Sequence, residues 1–303
     1  MSVITTVPPE TIKSPSSRFS TSRRKFLGLA AAAAAAAIGV DSVVLEPNRP
    51  RIVRQEITLP RWPAKLDGFK LALLSDVHYD AYFSVHPLRA AIGMVNGLRP
   101  DMIVLTGDFV TASQFDGDEQ RAAANATPCA ALLRQMNAPQ GLWAVLGNHD
   151  WATDPRFIAH ALRDAGIQVL ANRSVAIETA GARFWLGGVD DVVFGLADLN
   201  MTLASVPADE PKILLVHEPD FADRVARHPV DLQLSGHSHG GQVRFPFLPP
   251  LFLPALARKY YLGIYRIGPL TLYTNPGLGT MGLPIRWNCP PEITLVTLRS
   301  PAA

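Results

Sequence analysis

Along the chain, short uninterrupted apolar runs recur between glycine- and proline-punctuated polar stretches and longer amphipathic patterns. Leu71-Ala-Leu-Leu, Met102-Ile-Val-Leu, Leu142-Trp-Ala-Val-Leu, Ile213-Leu-Leu-Val and Leu232-Gln-Leu-Ser lack the alternation of a strand with one wet face. Such runs, about 4–6 residues long, read as strands buried on both faces. Between and after them, 3.6-residue patterns predict helices at 86–98, 119–136, 155–165 and 221–226. The third has a defined start, because Asp154 can cap free amides while Pro155 fills the first helical position without losing a bond. Residues 174–178, 183–189, 270–274 and 292–298 add strand-like segments. Strands alternating with helices predict one α/β domain, a two-sheet β-sandwich flanked by helices in four α/β/β/α layers.

The first sixty residues depart from this pattern. A polar stretch leads to Ser22-Arg23-Arg24-Lys25-Phe26-Leu27 and then to a run of small residues, mostly alanine, ending at Val40. This resembles a twin-arginine export signal. Its apolar part is about 14 residues, short of the roughly 17–25 that span a bilayer; the segment is expected to direct export, and it can stay as an anchor if it is not cleaved. Residues 41–60, punctuated by Pro47, Pro50 and Pro60, read as a linker and an entering strand, which leaves 61–303 as the folded domain. No internal repeat is visible.

The formal charge of +2 comes from the leader. Removing the five basic residues and one acidic residue of 1–40 from the chain's 28 and 26 leaves 23 and 25, a body of about −2. That balance provides no basic face for duplex nucleic acid, so none is expected as a partner. An exported chain meets oxidising conditions in which Cys129 and Cys289 can pair, although Cys129, in an alanine- and leucine-rich stretch, also reads as a small buried residue.

The candidate chemistry sits where the apolar runs end: Asp76-Val77-His78, Gly107-Asp108, Gly147-Asn148-His149-Asp150, His217 and Gly236-His237-Ser238-His239. Five of the eight histidines lie in these clusters, and His86, His160 and His228 read as surface residues. In extended chain, residues i and i+2 project to one side, so Asp76 with His78, and His237 with His239, can each present two donors together. Carboxylate, carboxamide and imidazole without thiolate suits manganese, iron or zinc and disfavours a structural zinc site. Two dications against Asp76 and Asp108 leave about +2, which draws in an anionic ester and acidifies water. Asp190-Asp191 reads as a solvated turn, with the alternative that it reaches the rim of the same site to support the donors or meet substrate.

In this order, Asp-x-His, Gly-Asp, Gly-Asn-His-Asp, a lone His and Gly-His-x-His resemble the calcineurin-like metallophosphoesterase superfamily. The resemblance implies Asp76, His78 and His239 on one metal, Asn148, His217 and His237 on the other, and Asp108 bridging both. It also implies that His149 faces the substrate as a catalytic group, with Asp150 orienting it, and that a metal-bound hydroxide attacks the phosphate ester. Many relatives continue Gly-Asp-x-x-Asp, whereas Thr111 stands at the last position here. Together with the leader, the segments Gly236-His-Ser-His-Gly-Gly-Gln-Val, Lys259-Tyr-Tyr-Leu-Gly-Ile-Tyr and Pro291-Glu-Ile-Thr-Leu are similar to an exported bacterial phosphodiesterase branch. A phosphodiester of lipid or cell-envelope origin and the twin-arginine machinery are therefore the expected partners, at a periplasmic or other extracytoplasmic address. Two other readings share the motifs. One is a pyrophosphatase of nucleotide-linked lipid precursors, which an exported address disfavours. The other is a non-catalytic metal-binding module, which the full donor set disfavours. Residues 245–256, Phe-Pro-Phe-Leu-Pro-Pro-Leu-Phe-Leu-Pro-Ala-Leu, cannot form a regular helix; they either pack over the sandwich edge or meet a lipid or membrane interface.

Overall fold

The protein is represented by a computed structural model that describes residues 19–112 and 117–302. It divides into a unit ending at Val40 and a second unit, Asp41–Ala303. Within the described part of the first unit lies helix α1 (Phe19–Val40), which contains Arg23 and Arg24; the remainder of the predicted leader, residues 1–18, lies outside the described residues. The stretch Arg23–Asn48 is 26 residues long and contains an 18-residue window of mean hydropathy 1.9. By length and composition it can cross a membrane, unlike the shorter apolar run counted from sequence; a signal sequence has the same properties.

The second unit is built on two six-stranded sheets. Its elements in chain order are β1 (Arg51–Thr58), β2 (Phe69–Leu74), α2 (Val85–Leu98), β3 (Met102–Leu105), α3 (Glu119–Ala124), α4 (Ala126–Leu133), β4 (Leu142–Ala144), α5 (Asn148–Thr153) and α6 (Pro155–Asp164). They continue with β5 (Ile167–Val169), β6 (Arg173–Thr179), β7 (Ala182–Gly188), α7 (Leu199–Leu203), β8 (Lys212–Leu215), α8 (Ala222–Val225), β9 (Leu232–Ser235), β10 (Gly263–Ile267), β11 (Leu270–Thr274) and β12 (Glu292–Arg299). The first sheet runs β1-β12-β2-β3-β4-β5 and the second β10-β11-β9-β8-β7-β6, each mixed, with parallel centres.

The apolar runs are continuous because each central strand is covered twice. In β2, Leu71 and Leu73 enter the core between the sheets, where they join Phe184, Ile213 and Leu234, while Ala72 and Leu74 face a second core with Leu88, Leu133 and Leu162 of α2, α4 and α6. A third core lies over the second sheet, with Leu214 and Leu272 against Phe221 and Val225. Each fully buried leucine contributes roughly 1.5–3 kcal/mol, so either face alone would leave half of that unrealised. The four-layer α/β/β/α arrangement predicted from sequence is the one observed.

Several local expectations differ. The single helix expected over 119–136 is two, α3 and α4, meeting at Asn125. Pro128 sits in the first turn of α4, where its missing N–H costs nothing; inside one continuous helix its ring would strike the carbonyl four residues earlier. The fourth helix shrinks to α8, preceded by a 3-10 turn, Pro219–Phe221. Within residues 41–60 the expected entering strand is β1, which pairs in parallel with β12 over all eight residues, Arg51↔Glu292 to Thr58↔Arg299, while the Glu46 carboxylate in the part read as linker accepts Asn288 N–H at 3.0 Å. Cys129 and Cys289 are not paired. Cys129 is packed among the helices over the first sheet, and Cys289 Sγ contacts the His239 carbonyl instead.

Candidate metal centre

Parallel register brings the carboxyl ends of β2 and β3 level, Leu74 opposite Leu105, and likewise β8 and β9, Leu215 opposite Leu234. The loops leaving these ends are stitched together across the two sheets. Asp76 N–H donates to the Gly107 carbonyl at 3.0 Å, Gly236 N–H to the His217 carbonyl at 3.0 Å, and His237 N–H to the Asp76 carboxylate at 3.0 and 3.1 Å. The chain reaches these positions through unusual backbone. Asp76, His78, Asp108, His237 and His239 all adopt left-handed φ, between 44° and 67°, which costs a non-glycine residue roughly 1–2 kcal/mol. Concentrated strain of this kind marks functional sites. The flanking glycines are required by contact as much as by φ. A Cβ at Gly107 would lie 2.6 Å from Gly147 N and 2.8 Å from His217 Nδ1, and one at Gly236 would overlap Ser75 Oγ.

All seven positions expected as metal ligands are brought together. Asp76, His78 and His239 form one donor group and Asp108, His217 and His237 another, each with its donor atoms within 4.8 Å of one another. Asp108 Oδ2 lies 3.5 Å from His78 Nε2 and 3.2 Å from His217 Nε2, between the two groups. Asn148 Oδ1 joins the second at 3.2 Å from His217 Nε2. Six of the seven are buried and Asn148 is half-buried.

Two backbone carbonyls settle which imidazole nitrogens carry protons. A carbonyl only accepts, so His217 Nδ1–H donates to Thr106 O at 2.6 Å and His237 Nε2–H donates to Ala255 O at 2.8 Å. In the neutral rings, their other nitrogens, Nε2 of His217 and Nδ1 of His237, are left with lone pairs. The third, His78, has its Nδ1 against Thr111 Oγ1 at 3.0 Å and its Nε2 only 3.1 Å from His239 Nε2. Buried lone pairs and carboxylates converge here, which fits dications and little else.

For His78, His237 and His239 the electrostatics agree with that donor set, whereas the proton that Asp108 favours on His217 would have to leave before a metal binds there. Burial drives His78 down to about 3 and His237 down to about 4, and takes His239 well below its usual range, so these rings are neutral. Burial pushes Asp76 up to about 6, with His217 opposing and the Asp108 charge adding to it. Against burial, the facing His217 and His149 hold Asp108 well below the carboxylate range, and Asp108 holds His217 well above the usual imidazole value.

The expected role of Asp150 is corrected. Its buried carboxylate does not orient His149; it accepts the N–H groups of Asp108 at 2.9 Å, Phe109 at 2.9 Å, Val110 at 3.2 Å and Gly147 at 3.0 Å. It thus ties the loop after β3 to the start of α5. The His149 ring is held by Ala112, whose N–H donates to Nδ1 at 3.1 Å, and His149 N–H donates to Asp108 Oδ1 at 2.9 Å. With Nδ1 accepting, the ring proton sits on Nε2.

Asp190 and Asp191 are not a solvated turn either. Asp190 accepts Trp151 Nε1–H of α5 at 2.8 Å, and Asp191 accepts the N–H groups of Val193, Phe194 and Gly195. Sequence reasoning noted Thr111 as a departure from the pattern without its contact to His78. It missed Thr106 and Ala255, which act through main-chain carbonyls and carry no side-chain signal.

A cleft of ≈ 190 Å³ opens on the centre. Asp108, Asn148 and His149 line it, as do Leu251, Phe252 and Met281.

Residues 69–241 match the model of the calcineurin-like phosphoesterase family. The chain is 36% identical to the metallophosphoesterase YkuE of Bacillus subtilis, over 92% of this chain and 98% of that protein. It is 31% identical to the phosphodiesterase YaeI of Escherichia coli, over 91% and 99%. It is also 27% identical to the UDP-2,3-diacylglucosamine pyrophosphatase LpxG of Chlamydia trachomatis, over 83% and 90%.

Proposed function

The chain belongs to the calcineurin-like phosphoesterase family, and from that membership we propose that it is an exported phosphodiesterase. As a member it is a metal-dependent phosphoric ester hydrolase that uses two divalent metals. In this reading Asp76, His78 and His239 would hold one metal and Asn148, His217 and His237 the other, with Asp108 placed to serve either group. Two dications bound there supply positive charge for an anionic ester and acidify water at the site. The remaining steps belong to the chain. His149 carries its proton on Nε2, free of the Ala112 contact at Nδ1, and from its place in the cleft wall it donates to phosphoryl oxygen or to the leaving oxygen. Asp150 is a positioning residue, acting through the backbone of Asp108 and Gly147.

The observation that carries this reading is the convergence of four histidines and two carboxylates at one edge, with carbonyls fixing two of the tautomers. Diester preference draws on the similarity to YaeI. Export by the twin-arginine route, to a periplasmic or other extracytoplasmic address, draws on Arg23-Arg24 at the head of an apolar helix, which either leaves as a signal or stays as an anchor. The similarity to LpxG favours a second reading, hydrolysis of a nucleotide-linked lipid pyrophosphate.

Metal-stripped protein, reloaded with manganese, iron or zinc, is assayed on an aryl phosphodiester, the matching monoester and a nucleotide-sugar pyrophosphate. Restored diester cleavage, lost in Asp108→Ala to the level of the stripped protein, is the expected result. Preference for the monoester would make the protein a phosphatase, and preference for the pyrophosphate would establish the second reading.

A further inference from the structure

Resting on the phosphodiesterase reading above, we infer that the substrate is a lipid phosphodiester whose hydrocarbon chain lies against Leu251, Phe252 and Met281. Residues 245–256 do not pack down over the sandwich edge. Phe247, Leu248, Leu251 and Phe252 are each at least 61% exposed, and between Arg244 and Arg258 there is no charged residue. Contiguous apolar exposure of this kind marks a contact with something apolar. Pro246, Pro249, Pro250 and Pro254 fix φ along the segment, so the open arrangement is stiff.

The segment is anchored at both ends to the site. At its start the Phe245 ring meets Trp287 edge to face, with centroids 5.0 Å apart. At its end the Ala255 carbonyl accepts the His237 Nε2–H, and the Leu256 carbonyl accepts Asp220 N–H at 2.8 Å. Leu251 and Phe252 line the same cleft as Asp108, Asn148 and His149. Met281 lines this cleft too. It is held through Gln242, whose Oε1 accepts Met281 N–H at 2.9 Å while its Nε2–H groups donate to the Met281 and Leu283 carbonyls. Leu283, 67% exposed, extends the apolar surface outward. A phosphodiester whose phosphate sits at the donor cluster must project one ester arm from the cleft, and a hydrocarbon arm finds cover on this wall where a sugar or a nucleotide finds no polar partner.

The test uses the metal-reloaded full chain and p-nitrophenyl alkyl phosphates from methyl to hexyl, which share one leaving group. Complete burial of a methylene is worth about four-fold in affinity, so a chain covered on one side gains about two-fold per methylene, or about 30-fold in kcat/KM from methyl to hexyl. The double substitution Leu251→Ser with Phe252→Ser is expected to bring the hexyl-to-methyl ratio close to one. Because the readout is a ratio, a general loss of turnover does not mimic it. A flat series in the unsubstituted chain, or a ratio unchanged by the double substitution, overturns the inference. If no aryl diester is cleaved, the phosphodiesterase reading itself fails, and thermal shifts with methyl and hexyl phosphate then decide the wall: equal shifts overturn it. Concentration-dependent dimerisation abolished by the same double substitution would assign the face to a second copy of the chain and likewise overturn the inference.

Discussion

Thr111 occupies the place where the Gly-Asp-x-x-Asp pattern carries its second aspartate, and its hydroxyl meets His78 Nδ1 at 3.0 Å. A hydroxyl orients the ring without adding negative charge, so the centre keeps more of the residual positive charge that favours an anionic ester. Partners of this type typically tune metal affinity by 10–100-fold when removed. Thr111→Ala is therefore expected to weaken metal retention by roughly 10–100-fold, and Thr111→Ser to preserve it, as measured by titrating metal into stripped protein. His149→Ala tests the proton on Nε2. The loss should reach about 10²–10⁴-fold on diesters with poor leaving groups and be smaller on aryl diesters; a loss independent of leaving group would confine His149 to binding phosphoryl oxygen. At this scale residue types and their order were enough to nominate all seven donors, because each needs a particular side chain. The nitrogen that His217 and His237 offer was not legible, because Thr106 and Ala255 set it through main-chain carbonyls that any residue could provide.

Among the elements, the join between the loop after β3 and the start of α5 depends on one buried carboxylate. Asp150 accepts four N–H groups there, although burial and the neighbouring Asp108 push its own carboxyl up to about 8. Asp150→Ala leaves those donors without an acceptor at roughly 1–3 kcal/mol for each that water cannot reach. A total of about 3 kcal/mol lowers Tm by roughly 6–12 °C in a domain of this size. Calorimetry should show that fall, and metal stoichiometry should drop with it, since Asp108 and Asn148 lie on the two segments being joined. The strands ending in these loops were readable because burial on both faces imposes an apolar run with no other simple origin. Three-residue β5, with Ile167 and Val169 inward and Gln168 exposed, is too short to show a period. The break between α3 and α4 was signalled by Pro128 but hidden by an otherwise helical composition.

For the whole molecule, β1 decides where the folded unit begins. Its pairing with β12 covers eight residues, and Ile57 and Leu59 are buried in the core between the sheets. Protein starting at residue 61 loses both, roughly 3–6 kcal/mol, and exposes β12 as a long apolar edge. It should melt roughly 6–24 °C below protein starting at residue 41 and aggregate on heating, which a melt followed by light scattering would show. By itself the sequence determined the layer order, the chemistry of the donors and the strand ends on which they sit, because side-chain type and hydrophobic period are local properties. Tertiary structure alone decided the rest. The left-handed turns at Asp76, His78, Asp108, His237 and His239, the clamp role of Asp150 and the exposed wall of Leu251 and Phe252 each depend on contacts between segments tens to hundreds of residues apart. Those contacts leave no period or composition in any one segment; they exist only once two sheets bring their carboxyl ends to a common edge.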